Sequence, residues 1–177
     1  MKIKTITQTG VLLSITLAVQ SLHLPTYITG SAINAVLIVA VVFPGIPGSV
    51  IIGCITPLVA LTMGIIHPIT TPLVPIIMAA NTTLGITFYL LRKRNDYIAL
   101  IGAALAKYFV FYLCVNYLIG VLNIKIPDPV LIAFQLPQLF TALIGGVIGV
   151  GITKQLNKTY RIPEEDTSNT PQKDISN

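Results

Sequence analysis

The chain has 177 residues, of which 54% are apolar and only 10% charged, with no Trp and a formal charge of +5. Its mean hydropathy is +0.83, whereas a soluble domain carries about a quarter charged residues. The composition excludes a water-covered globular domain, and the excess positive charge reads as membrane-edge lysines and arginines rather than a nucleic-acid-binding face. In chain order, "MKIK" followed by "GVLLSITLAV" has the basic and apolar regions of a signal peptide. The apolar stretch continues to Leu24 without a clean small-x-small cleavage site, so a retained first helix is expected. Counting apolar runs against the roughly 20 residues that cross a bilayer predicts spans at Ile6–Leu24, Gly30–Phe43, Ser49–Ile66, Pro72–Leu91, Ile98–Leu122 and Pro129–Thr153. The second is short and closed by the breaker "PGIPG" at Pro44–Gly48, so it reads as a tilted or re-entrant segment. The expected organisation is a transmembrane domain over 1–155 and a polar, disordered tail over 156–177, with "RIPEEDTSNTPQKDISN" following Tyr160.

Lys and Arg set the orientation. Lys2 and Lys4 precede span one, Arg92, Lys93 and Arg94 follow span four, and Lys154, Lys158 and Arg161 follow span six. Only Lys125 falls on the other side. The pattern predicts an all-α, six-transmembrane-helix bundle with both termini in the cytoplasm.

Once the spans are oriented, the strongly polar side chains gather in the outer half. Gln20 and His23 end span one, Asn34 begins span two, and Thr62 lies in the outer third of span three. Asn81 and Lys107 are near the midplane; Asn116, Gln135 and Gln138 lie further out. Polar groups inside a membrane usually face the bundle interior or a water-filled cavity. The distribution predicts a site open to the outside and closed towards the cytoplasm. Any one of Gln20, Asn34 or Asn116 also fits a plain interhelical hydrogen bond, and His23 fits an interface histidine. Asn116, nine residues from Lys107, points nearly the opposite way round the helix. Gln135 and Gln138 share a face, and Pro137 loosens the helix between them.

Lys107 raises the sharpest question. A lysine at a helix centre costs about 2.5–3.5 kcal/mol to insert, and no predicted span contains Asp or Glu. Its partner is then a set of neutral acceptors, the loss of its own proton, or an anion that comes and goes; a carboxylate or phosphate on a small molecule fits.

Small residues mark helix contacts. Gly10, Ser14 and Ala18 form a small-xxx-small stripe on span one, away from the polar residues, which favours a partner-docking surface. Gly102 and Ala106 in span five, and Ala142, Gly145, Gly146 and Gly149 in span six, suggest close packing. Cys54 and Cys114 have no metal-ligand spacing and read as packing residues. The chain lacks a G-x-x-x-x-G-K-[ST] loop, an H-E-x-x-H motif, a nucleophile–base pair and a membrane carboxylate. Neither an enzyme, a resident cofactor nor a metal site is expected. With no internal repeat, any energy for uphill transport is expected from another subunit.

The blocks "GVLLSITLAVQ", "ITGSAINAVLIVA", "IIGCITPLVALTMGI", "PIIMAANTTLGI", "AALAKYF" and "FQLPQLFTALIGGVIG" resemble, in order, the S components of energy-coupling factor (ECF) vitamin transporters. The resemblance spans residues 5 to about 155. It implies a subunit of a prokaryotic plasma membrane that captures a vitamin or related molecule outside. Release inwards would then follow toppling against a transmembrane coupling subunit driven by two ATPases. Gly10, Ser14 and Ala18 match the family's helix-one docking stripe in spacing, although two of the three are not alanine. The family's ligand region maps onto Asn81, Lys107, Gln135 and Gln138, with Asn34 added from the polar pattern. The alternative is a self-contained, oligomeric small-solute facilitator or channel.

Overall fold

The computed structural model describes residues 2–66, 68–122 and 128–160; the side chains of 68–69, 118–122, 128–135 and 160 are outside that description. Six α-helices follow one another: α1 Ile3–Ser21, α2 Thr26–Val42, α3 Ile46–Thr62, α4 Val74–Leu91, α5 Asp96–Leu122 and α6 Asp128–Tyr160. A 3-10 turn, Pro68–Leu73, leads into α4. Among the described residues there is no strand. Among the described residues, three stretches, Thr70–Leu91, Asp96–Tyr117 and Leu136–Thr159, are long and apolar enough to cross a membrane; Thr26–Val42 and Ile46–Thr62 are shorter apolar helices.

The helix ends follow local chemistry. Pro25 caps α2, so that helix begins at Thr26 rather than at Gly30, where the apolar run starts. The earlier start makes α2 as long as α3, 17 residues each, or about 25 Å. The second helix is therefore not uniquely short. The "PGIPG" break is sharper than a loop: Gly45 takes φ = 86°, a region that glycine enters without a Cβ penalty, and α3 starts at the next residue. At α5, the Asn95 side chain accepts the Tyr97 N–H at 2.8 Å and Asp96 lies in the first turn, both favourable at a helix N-terminus. α6 continues through Tyr160, into the segment expected as tail, and residues 161–177 lie outside the described residues.

The side-chain distribution on α5 is the reverse of that on a soluble helix. Ile98, Ile101, Leu105, Phe109 and Tyr112 face outwards, whereas Leu100, Ala103, Ala104, Lys107, Phe111 and Val115 are buried. An exposed stripe of large apolar side chains suits a lipid-facing surface. Inside, small residues let the helix backbones come close. A Cβ on Gly145 would run into the Ser31 carbonyl oxygen and lie 2.8 Å from Asn34 Cβ; one on Gly149 would lie 2.8 Å from the Ala35 carbonyl oxygen. Thus α6 lies almost backbone to backbone on α2, the most extensive helix pair in the bundle. Gly146 instead faces Leu100 of α5, and Gly102 faces Leu91.

Leu37, Ile38, Val41, Ile52, Leu84 and Phe88 form the centre of the main core, joined by Ala99–Ala104 residues of α5 and Val150 of α6. This dry cluster fills the half of the bundle nearest the start of α1 and the end of α6. At that end Lys154 stacks over the Tyr97 ring, 4.4 Å from its centroid. The strongly polar side chains meet in the other half.

Candidate functional site

Lys107 lies on the buried stripe of α5 and is only 3% exposed. Its Nζ donates to Asn34 Oδ1 at 2.6 Å and to Asn81 Oδ1 at 2.9 Å. Of the possible partners open at the level of sequence, neutral acceptors are what the fold provides. The longer α2 explains how Asn34 reaches this depth: it lies eight residues past Thr26, about 12 Å along the axis, rather than at the outer start of the helix.

Each asparagine amide is itself oriented. Asn34 Nδ2 donates to Thr141 Oγ1 at 3.4 Å, and Thr141 in turn donates to the Gln138 carbonyl at 3.1 Å. Asn81 Nδ2 donates to the Gly53 carbonyl at 3.2 Å. That carbonyl is available because Pro57, four residues on, has no N–H to return to it. Gly53 also lets Asn81 approach, since a Cβ there would sit 3.0 Å from Asn81 Cβ. Each amide therefore has one N–H on a fixed acceptor and its oxygen turned to Lys107.

A prediction follows from the Pro57 gap. Asn81→Leu should destabilise the protein by at least about 1–3 kcal/mol, because it strands the Gly53 carbonyl in an apolar interior and takes one of two acceptors from the buried Lys107. In a Pro57→Ala background the restored backbone N–H takes that carbonyl, and the loss should shrink. Thermal unfolding of the two single variants and the double variant in detergent measures the coupling; strict additivity would mean that Gly53 is served by something else.

An ammonium has three N–H donors and no acceptor, and Lys107 spends two of them on asparagines. The third remains for the cavity beside it, about 130 Å³ in volume. Lys107, Asn34 and Asn81 share this cavity with Gln20 and Gln138, and its apolar lining includes Ile33, Pro57, Ala60 and Ile77. Leu24 and Thr26, between α1 and α2, and Ile65 and Ile66, after α3, extend it towards the helix connections. The arrangement can hold a compact acceptor or anion on Lys107 against an otherwise apolar wall.

Of the residues expected at the site, Asn34, Asn81 and Lys107 join one hydrogen-bond network, and Gln138 lines the same cavity while lending its carbonyl to Thr141. The side chain of Gln135 lies outside the described residues. Asn116 is exposed and donates to Tyr112 O at 2.7 Å, away from Lys107. Thr62 is exposed, and its hydroxyl bonds back to Val59 O at 2.9 Å. His23 is exposed too; its Nδ1–H donates to Ser21 O at 2.9 Å, and its φ of 49° closes the turn after α1. Cys54 and Cys114 are half-buried free thiols, and among the described residues no three His, Cys, Asp or Glu side chains gather into a metal site.

Gln20 is the residue that the expected site lacked. It is 3% exposed and donates through Nε2 to the Thr56 carbonyl at 3.2 Å. Its burial next to Thr56 depends on how α1 packs on α3, and the available signal was only a Gln near the end of an apolar helix. Comparison with family models, curated proteins and solved structures finds no match to this chain.

Proposed function

We propose that the chain is the substrate-capture subunit of an ATP-driven importer of the energy-coupling factor type. Six helices cross a prokaryotic plasma membrane with both termini in the cytoplasm. A vitamin-like small molecule enters from outside, and a transmembrane coupling subunit with two ATPases drives its release inwards. The observation that carries this reading is Lys107, buried at a cavity in the half of the bundle away from the start of α1 and the end of α6. Lys2, Lys4, Arg92–Arg94, Lys154 and Lys158 all lie at the terminus end, which the positive-inside rule assigns to the cytoplasm. The cavity then opens outwards.

A self-contained channel or facilitator needs a polar route through the other half of the bundle. There Leu37, Ile38, Val41, Ile52, Leu84 and Phe88 pack together, and the buried Ser49 hydroxyl is spent on the Leu37 carbonyl at 3.2 Å, which favours capture over conduction. Gly10, Ser14 and Ala18 are exposed on α1, and a Cβ on Gly10 would meet nothing within 4 Å. This face is free for a coupling subunit. Exchange of all three for Leu should abolish co-purification with the ATPases, identified by their own G-x-x-x-x-G-K-[ST] loops, while the melting midpoint and bound small molecules stay as in the wild type. Affinity purification from native membranes with mass spectrometry of proteins and small molecules reads both results. Solute flux through liposomes holding only this chain, with no ATPase recovered, would refute the capture reading in favour of the facilitator.

A further inference from the structure

Gln20 has one committed atom and one uncommitted atom. Nε2 is fixed on the Thr56 carbonyl, so the amide cannot flip without setting two oxygens face to face. Oε1 is left buried without a hydrogen-bond partner among the described residues, on a residue that lines the same cavity as Lys107. A buried acceptor without a donor is destabilising, and nothing on the neighbouring helices relieves it.

The two polar ends of the cavity are tied to one helix. Asn81, which holds Lys107, rests on the Gly53 carbonyl, and Gln20 rests on the Thr56 carbonyl. These positions are three residues apart on α3, about 4.5 Å along the axis. A donor-seeking oxygen and a donor-bearing ammonium are thus anchored about one turn apart on α3, on residues that line one cavity. The volume suits a single ring, since a dry cavity of about 150 Å³ accepts benzene and this one is about 130 Å³. Ile33, Ile77, Pro57 and Ala60 supply apolar walls for the body between the two ends.

Building on the capture reading, we propose that the ligand is a compact, single-ring-sized anion that also carries an N–H or O–H donor. Its anionic group takes the third proton of Lys107, its donor is accepted by Gln20 Oε1, and Gln20 selects donor-bearing molecules. Gln20 is thereby a binding residue, although it lies on the helix whose outer face carries the docking stripe.

The test uses 4-aminobenzoate, benzoate and aniline as probes, measured by titration calorimetry on the full chain purified in detergent and freed of small molecules. Wild type should bind 4-aminobenzoate at least about tenfold more tightly than benzoate, because only the former satisfies the buried oxygen. Aniline, without the anion, should bind most weakly. In Gln20→Met, 4-aminobenzoate should fall to the level of benzoate, and a cooperative melting transition of the same preparation shows that the variant is folded. Equal wild-type affinities for the first two probes would overturn the proposal, as would a tenfold preference that survives in Gln20→Met. Loss of benzoate binding in Gln20→Met makes Gln20 part of the pocket's framework rather than a ligand contact, and overturns it as well. If no probe binds while another small molecule co-purifies with the chain and its ATPases, the ligand class is wrong and the capture reading stands. If no probe binds, nothing co-purifies and no ATPase is recovered, both fail.

Discussion

Lys107→Met should abolish binding of the co-purifying ligand while the bundle still folds. Two opposing contributions decide the stability. Removing a cation from the middle of a membrane helix recovers about 2.5–3.5 kcal/mol on insertion scales. Against this, Asn34 Oδ1 and Asn81 Oδ1 lose their donor, at about 1–3 kcal/mol for each stranded acceptor. The net change lies between no effect and a loss of a few kcal/mol. Binding has no such compensation, because Lys107 is the one cation among the described residues that line the cavity. Adding Asn34→Leu and Asn81→Leu should recover much of any lost stability, since replacing a buried polar set with apolar side chains is often neutral or stabilising, offset in part by the freed Gly53 carbonyl. That triple variant should melt at or above the temperature of Lys107→Met and bind nothing. Melting curves and calorimetry on the same preparations give both numbers. Retained affinity in Lys107→Met would make the lysine a structural donor to two asparagines and nothing more.

How much of this could be read from the chain depends on the range of the interaction. Lys107 was visible because a cation in "AALAKYFVFYL" breaks an apolar run, and the absence of Asp and Glu from the spans removed its simplest partner. Asn81, expected at the same level as Lys107, accepts its bond at 2.9 Å. Asn34 was placed too shallow, because apolar counting marks where a segment becomes greasy rather than where the helix begins. Thr26 and Tyr27 are helical despite their polarity, with Pro25 as the cap. The same effect shifts α1, expected at Ile6–Leu24, to Ile3–Ser21, since its first turn is rich in Thr and Lys. Gln20 was harder. Its role exists only once α1 packs on α3 and brings the amide to Thr56 O, a contact that no spacing within α1 encodes. The small residues of span six gave the opposite result: their spacing predicts a close helix contact, and Gly145 and Gly149 make one, whereas the partner helix, α2, follows only from the packed structure.

The largest effect on folding is expected at that contact, and Gly151 supplies its control. A Cβ at Gly145 collides with the Ser31 carbonyl and lies 3.0 Å from the Ala35 amide nitrogen. These are backbone atoms and cannot rotate aside, so α2 and α6 must move apart. Overpacking of a tight interior contact costs about 1–3 kcal/mol, and here it acts on the most extensive helix pair in the bundle. Separation also reaches the site. Asn34 is itself 2.8 Å from the added carbon, and its 3.4 Å bond to Thr141 is already near the limit of a hydrogen bond. Once that bond opens, the Asn34 amide loses the partner that turns Oδ1 towards Lys107. Gly145→Ala should therefore lower the melting midpoint and weaken ligand binding together. Gly151→Ala is the same exchange six residues on in the same helix, where a Cβ meets nothing within 4 Å. There the gain in helix propensity, up to about 1 kcal/mol, is unopposed, and the midpoint should hold or rise with binding unchanged. If the two alanine variants melt alike, α2 and α6 are not held backbone to backbone, and the orientation of Asn34 against Lys107 must come from elsewhere than this crossing.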